Sequence, residues 1–163
     1  MRVVIQRVLE AAVKVNDQLV GQIGKGLLVY LSVGKGDSLK DAEFIADKLA
    51  NLRIFADEAG KMNRSVLDVG VQGEALDGIK PAFGGQILLV SNFTLHGDCR
   101  KGRRPGFDAA AEPAPAQQLY EKVIELVCKQ GIAVEKGVFG EYMYVSSVND
   151  GPVTFLLDSS RLF

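Results

Sequence analysis

Two apolar runs of strand length limit what this chain can fold into. Gly26-Leu27-Leu28-Val29-Tyr30-Leu31-Ser32-Val33 is nearly continuous in apolar residues, and Gly24 and Gly34-Lys35-Gly36 bracket it. Gln86-Ile87-Leu88-Leu89-Val90 is a second run of the same kind. A strand wetted on one face alternates apolar and polar residues, so an unbroken run of this length marks a strand buried on both faces. Both segments therefore belong in a core.

The remaining elements arrange themselves around these runs. Arg2 to Val15 and Gln18 to Ile23 read as strands joined by a turn at Asn16-Asp17, which makes a hairpin. Asp37-Ser38 offers a helix N-cap, and Ala42, Ile45, Ala46, Leu49 and Leu52 recur at helical spacing to about Asn51. Pro113 and Pro115 open a second helix, with Leu119, Val123, Leu126 and Val127 on one face and Gly131 as its C-terminal stop. Leu52 to Phe55 and Ser65 to Leu67 read as short extended pieces. The glycine-rich stretch from Asp68 to Gly85 reads as a long surface excursion. The tail divides into strands at Ala133 to Lys136, Tyr142 to Val148 and Val153 to Leu157. The pattern predicts one α+β domain over residues 1–163, with a mixed or antiparallel sheet curled like a barrel and two main helices packed on it.

Composition narrows the function. At 47% hydrophobic and 24% charged residues the chain is ordinary for a soluble domain, and no apolar run approaches the roughly 20 residues needed to span a bilayer. Gln6 and Arg7 break the only early apolar stretch, so a secretory signal is not expected and residence in the cytoplasm is. Cys99 and Cys128 are far apart and His96 is the sole histidine, which argues against a disulfide framework or a zinc cage. The net charge of −1 offers no global attraction to polyanions. One local patch does: Arg100-Lys101-Gly102-Arg103-Arg104-Pro105 concentrates four cations on a segment that glycine and proline keep out of regular structure. Such a loop suits phosphate oxygens, or else is a solvated surface with carboxylate neighbours.

Chemistry has few candidate groups. Ser91-Asn92-Phe93-Thr94-Leu95 arrives at the end of the second apolar strand, where a rigid element would hold polar groups in place. A hydroxyl of Ser91 or Thr94 activated by His96 could attack an ester. Strand alternation puts Ser91 on the opposite face from Thr94 and His96 unless the strand ends between them, and only Asp98 could orient the imidazole. Backbone capping by these hydroxyls is the plainer reading. Phosphate-loop, dinucleotide and His-Glu-x-x-His motifs are missing from the sequence. Near the C-terminus, Asn149-Asp150-Gly151-Pro152 reads locally as a hairpin corner, with a Gly-Pro pair that presents backbone rather than side chains to its surroundings.

Together these features resemble the D-aminoacyl-tRNA deacylase family along nearly the whole chain. The matching segments are 1–8, 21–29, 48–55, 60–63, Lys101-Gly102-Arg103-Arg104-Pro105, Gly137-Val138-Phe139-Gly140 and Asn149-Asp150-Gly151-Pro152-Val153-Thr154. Two departures stand out. The family's Ser-Gln-Phe-Thr-Leu signature reads here Ser91-Asn92-Phe93-Thr94-Leu95, one methylene shorter at Asn92, and residues from about Gly70 to Gly84 look like an insertion.

The resemblance implies a homodimeric editing hydrolase that cleaves the ester between a D-amino acid, or glycine mischarged on tRNA-Ala, and the terminal adenosine of tRNA. It implies a cis Gly151-Pro152 bond whose carbonyls enter the partner's pocket across the dimer interface and exclude L side chains. Ser91, Phe93 and Thr94 would line the ester, with Asn92 beside them. Arg7 would support the Gly-Pro turn, Phe139 and Met143 would wall the pocket, and Lys101, Arg103 and Arg104 would hold acceptor-end phosphates. No metal, organic cofactor or membrane is implied. The resemblance favours attack assisted by the RNA 2′-hydroxyl. A covalent Thr94 nucleophile acting on another ester, or a non-catalytic RNA-binding protein, are the alternatives.

Overall fold

The longest strands organise the sheet. In the computed structural model, which describes residues 1–69 and 84–162, strand β1 (Arg2–Val15) is paired along both of its edges. One edge is divided: β3 (Gly26–Ser32) takes its first half and β2 (Gln18–Ile23) its second, both antiparallel. Along the other edge runs β8 (Tyr144–Asp158), also antiparallel. Beyond β3 lie β6 (Gln86–Ser91) and β7 (Val134–Lys136), each parallel to its neighbour, giving the order β2-β1-β3-β6-β7 with β8 on β1. β2 folds back toward β7, where the bare Cα of Gly21 lies against the Lys136 carbonyl; an added Cβ would meet that oxygen at 2.9 Å. The six-stranded mixed sheet is thus nearly closed into a barrel.

Both faces of the central strands are dry, as their composition requires. Leu27, Val29 and Leu31 of β3 and Ile87 and Leu89 of β6 face one core, while Leu28, Leu88 and Val90 join Val8, Ala11, Val13 and Ile23 in a second. The period of two sends alternate residues to opposite cores. Helices α1 (Leu39–Asn51) and α2 (Pro113–Lys129) cover the first core, α1 through Ala42, Ile45, Ala46 and Leu49, α2 through Ala116, Tyr120, Val123 and Val127. The fold class expected from the sequence is the one observed.

The N-terminal hairpin turns on Asn16 and Asp17, both with positive φ (48° and 62°), the conformation that lets a two-residue loop follow the strand twist. At the start of α1 the Ser38 N–H and hydroxyl both donate to the Asp41 carboxylate at 2.8 Å.

Three local expectations are corrected. The strand expected over Leu52 to Phe55 is β4 at Phe55–Ala56 only, paired with β5 (Met62–Arg64). Ser65 to Leu67 is not extended: Val66–Asp68 is a 3-10 turn, because the Ser65 N–H and hydroxyl donate to Asp68 at 2.7 and 2.8 Å in the arrangement that starts α1. The excursion expected from Asp68 to Gly85 lies mostly outside the described residues.

The third correction concerns the Gly-Pro turn. Tyr142 to Val148 and Val153 to Leu157 are not two strands around a corner but one strand, β8, both halves of which pair with β1. Thr154 pairs with Gln6 and Asn149 with Val8, so Asp150 to Val153 bulge out opposite Arg7 alone. A hairpin corner would reverse the chain; here the ladder resumes on the same partner.

Candidate active site

β3 and β6 run parallel and end side by side, with Leu31 opposite Ser91. Beyond the carboxyl ends of parallel strands the sheet opens, and ligands of such sheets bind there. Asn92 donates its N–H to the Leu31 carbonyl (2.8 Å), then stops the strand by capping a 3-10 turn, Phe93–His96. Asn92 Oδ1 accepts the Thr94 N–H at 3.2 Å and the Thr94 hydroxyl at 2.5 Å. The alternation argument for Ser91 and Thr94 thus lapses, because the strand ends between them.

This turn forms one wall of a cavity of about 850 Å³. The first turn of α2, with Pro113 and Ala116, and the Tyr120 ring form another. Phe139 and Met143 close it from the segment before β8. Phe93 meets Phe107 edge to face, centroids 5.1 Å apart, and Tyr120 meets Phe139 at 5.7 Å. The Tyr120 hydroxyl donates to the Leu89 carbonyl at 2.8 Å, and burial pushes its pKa well above the ordinary tyrosine value. Met143 lies against Gly137, where a Cβ would meet its sulfur at 2.5 Å.

Of the residues singled out from sequence, Ser91, Asn92, Phe93, Thr94, Phe139 and Met143 come together around this space. Phe107 and Tyr120 complete it and were not anticipated. Tyr120 is visible in retrospect as a polar-tipped aromatic on the buried face of α2; Phe107 carries no sequence signal of its own.

His96 does not activate Thr94. Its ring is buried at the far end of the 3-10 turn, with Nδ1 2.6 Å from the Ser32 hydroxyl, and it faces a second cleft. Burial, helped by the Arg2 guanidinium, lowers its pKa below the usual histidine value and keeps it neutral at pH 7. Asp98 is equally committed, since the Arg100 guanidinium grips its carboxylate at 2.8 and 2.7 Å and holds its pKa far below the usual range. A Ser/Thr-His-Asp triad is not assembled.

Arg7, Gly151 and Pro152 form a separate constellation that does not line this cavity. Arg7 Nε reaches the Asp150 carbonyl (3.2 Å) and carboxylate (3.0 Å), and its Nη1 donates to the Ile54 carbonyl at 2.6 Å. The Asn149 side chain accepts the Val153 N–H across the bulge at 3.2 Å. The Gly151-Pro152 bond is cis, and Gly151 has φ +134°, where a Cβ would strike Val153 Cγ2 at 2.7 Å. Both residues are exposed.

The basic loop stands over the second cleft, about 770 Å³, to which Lys101 and Arg104 contribute and Arg103 does not. Among the described residues no group of His, Cys, Asp or Glu side chains could hold a metal ion, and no helix is long and apolar enough to cross a membrane.

The site is thus a cavity at the end of a nearly closed mixed sheet, with a polar strand-end turn as one wall. Residues 4–158 match the model of the D-Tyr-tRNA(Tyr) deacylase family. The D-aminoacyl-tRNA deacylases of Desulforamulus reducens and Fervidobacterium nodosum are 50% and 52% identical over 163 residues, covering all of both chains in each case. A solved structure, the c-Myc DNA unwinding element binding protein, superposes with a TM-score of 0.82 at 35% identity, over 97% of this chain and 98% of its own. The chain belongs to the D-Tyr-tRNA(Tyr) deacylase family.

Proposed function

We propose that the protein hydrolyses the ester bond of D-aminoacyl-tRNA, releasing free D-amino acid and tRNA, and leaves L-aminoacyl-tRNA intact. The observation that carries this is the strand-end turn. Asn92 takes up the Thr94 N–H, while the first N–H groups of a helical turn have no partner within it. The Phe93 N–H is then available to polarise the ester carbonyl, with the Ser91 and Thr94 side chains orienting the terminal ribose. Glycyl-tRNA(Ala), which has no side chain to exclude, falls in the same substrate class.

Attack is assisted by the 2′-hydroxyl of the terminal adenosine. The Thr94 proton is held by Asn92, an amide that is no base, which leaves Thr94 without the activation a nucleophilic hydroxyl needs.

The chiral filter is the Gly151-Pro152 backbone acting in the cavity of a second copy of the chain. Its exposure, its absence from its own subunit's cavity and its bracing by Arg7 support this reading, since rejecting an enantiomer needs a rigid obstacle set to clash with it. The outer face of β8 supports a dimer as well, with Tyr144, Val148 and Leu156 exposed by 63%, 45% and 57%. Lys101, Arg103 and Arg104 bind acceptor-end phosphates. A tRNA substrate would put this work in the cytoplasm.

The test incubates purified protein with matched D- and L-tyrosyl-tRNA and measures ester hydrolysis of each. Release of D-tyrosine with the L ester intact is expected. Equal hydrolysis of both removes the filter, and hydrolysis of neither leaves only RNA binding.

A further inference from the structure

Two buried polar side chains beside the strand-end turn take no part in the chemistry at the ester. Ser32 is 2% exposed and His96 8%. Ser32 ends β3, one residue past the Leu31 carbonyl that accepts the Asn92 N–H. Its hydroxyl lies 2.6 Å from His96 Nδ1 and 3.4 Å from the Phe93 carbonyl oxygen. His96 closes the turn at its other end, and its ring is wedged: Nε2 lies against the bare Cα of Gly34, where a Cβ would meet it at 2.7 Å. Gly34 is bridged to Ala110, which lines the ester cavity. Arg2, fixed by Asp158 at 3.0 Å, donates to the Leu95 carbonyl at 3.1 Å. The turn is thus tied on its exposed side by the Asn92 cap and on its buried side by Ser32, His96 and Arg2.

A hydroxyl has one proton and a neutral imidazole one acceptor nitrogen, so Ser32 and His96 satisfy each other, as burial requires of both. An apolar pair of the same shape would fill this space at little cost in stability. It could not grip the turn at both the Phe93 peptide and residue 96. We infer that Ser32 and His96 are positioning residues of the ester site, holding the 3-10 turn from its buried side so that the Phe93 N–H stays aimed at the ester carbonyl. The inference rests on the deacylase reading. Neither side chain acts on the reacting atoms; each works through the turn. A misaimed donor loses its grip where the carbonyl oxygen gains charge, in the transition state, and ground-state binding changes little.

Steady-state hydrolysis of D-tyrosyl-tRNA and amide hydrogen exchange of the free protein test this together. Ser32→Ala and His96→Leu should each lower kcat about tenfold, the scale of one buried hydrogen bond, with KM within about twofold of wild type. The double variant should lose no more than either single one, because the two act as a unit. His96→Asn, whose amide lies where Nδ1 does, should restore kcat to within about threefold of wild type. Ile45→Val, a core truncation in α1, should lower Tm and leave kcat unchanged. The Thr94 N–H, which the turn keeps on Asn92, should exchange about tenfold faster in Ser32→Ala. Variants that lose Tm but keep kcat reduce the pair to core filling and overturn the inference. A loss carried by KM alone, or an unchanged Thr94 exchange rate, overturns it too. Should His96→Leu not fold, Ser32→Ala, which removes a single oxygen, decides alone. A wild type that cleaves no D-tyrosyl-tRNA refutes the deacylase reading, while the exchange rates still decide whether the pair holds the turn.

Discussion

Asn92 holds Thr94 by both of its donors, the backbone N–H at 3.2 Å and the hydroxyl at 2.5 Å. If the hydroxyl is needed only for positioning, the cap matters more than the group it caps. Thr94→Ala, which keeps the N–H bond, should retain substantial deacylation of D-tyrosyl-tRNA. Asn92→Ala removes both contacts and with them the cap that fixes the turn beside the ester, so kcat should fall roughly tenfold relative to Thr94→Ala, a barrier change of about 1.4 kcal/mol. Single-turnover hydrolysis by the two variants checks this. Complete loss in Thr94→Ala with intact substrate binding would assign Thr94 as the nucleophile.

Arg7 ties the bulge at Asp150 to the Ile54 carbonyl, with its side chain only 11% exposed. Arg7→Met keeps most of the packed stem and strips the donors. The uncompensated carbonyl and carboxylate should cost about 1–3 kcal/mol, which for a chain of this length lowers Tm by roughly 2–10 °C. The Gly151-Pro152 backbone then loses its brace, so the ratio of L- to D-tyrosyl-tRNA hydrolysis should rise. A thermal melt and the two hydrolysis rates measure both effects; an unchanged ratio in a destabilised variant would detach Arg7 from stereoselection.

His96 gives stability a pH dependence. Burial is the main cause of its lowered pKa, Arg2 and the α-amino group add to it, and Asp37 and Asp158 oppose it. The unfolded chain, with an ordinary value near 6.5, binds this proton more readily than the folded one. The contribution is therefore complete above pH 6.5 and is lost as pH falls from there through the folded value. Tm should drop between pH 7 and 5, and His96→Gln should flatten that part of the curve, since glutamine can still hydrogen-bond Ser32 but does not titrate. The same slope in both proteins would exclude His96 as the source.

Much of this was legible in the chain because it depends on local pattern. The run from Gly26 to Val33 announces a strand with two dry faces, and it separates Leu27, Val29 and Leu31 from Leu28 between two cores. Ser38 and the 3.6-residue spacing announce α1. The same capping pattern at Ser65 and Asp68 is not legible in the sequence, since a single 3-10 turn offers too few residues to show a period. The family signature led to six residues of the cavity, but Phe107 and Tyr120 reach it from distant elements.

The Gly-Pro segment marks the boundary. Its composition signals a break in regular strand, and the chain alone establishes that much, because backbone freedom and restriction are properties of the residues themselves. Whether the break turns the chain back or bulges out of one continuous ladder depends on what the flanking strands pair with. Here both flanks pair with β1, and Arg7, some 140 positions away, fills the gap between Gln6 and Val8. The sequence determined the two buried strands, the N-terminal hairpin, both helices and the family; the tertiary structure decided that β8 is one strand, that His96 belongs to Ser32 rather than Thr94 and that the basic loop stands over a cleft. Those outcomes rest on contacts between residues far apart in the chain, which only the closed sheet brings within hydrogen-bonding distance.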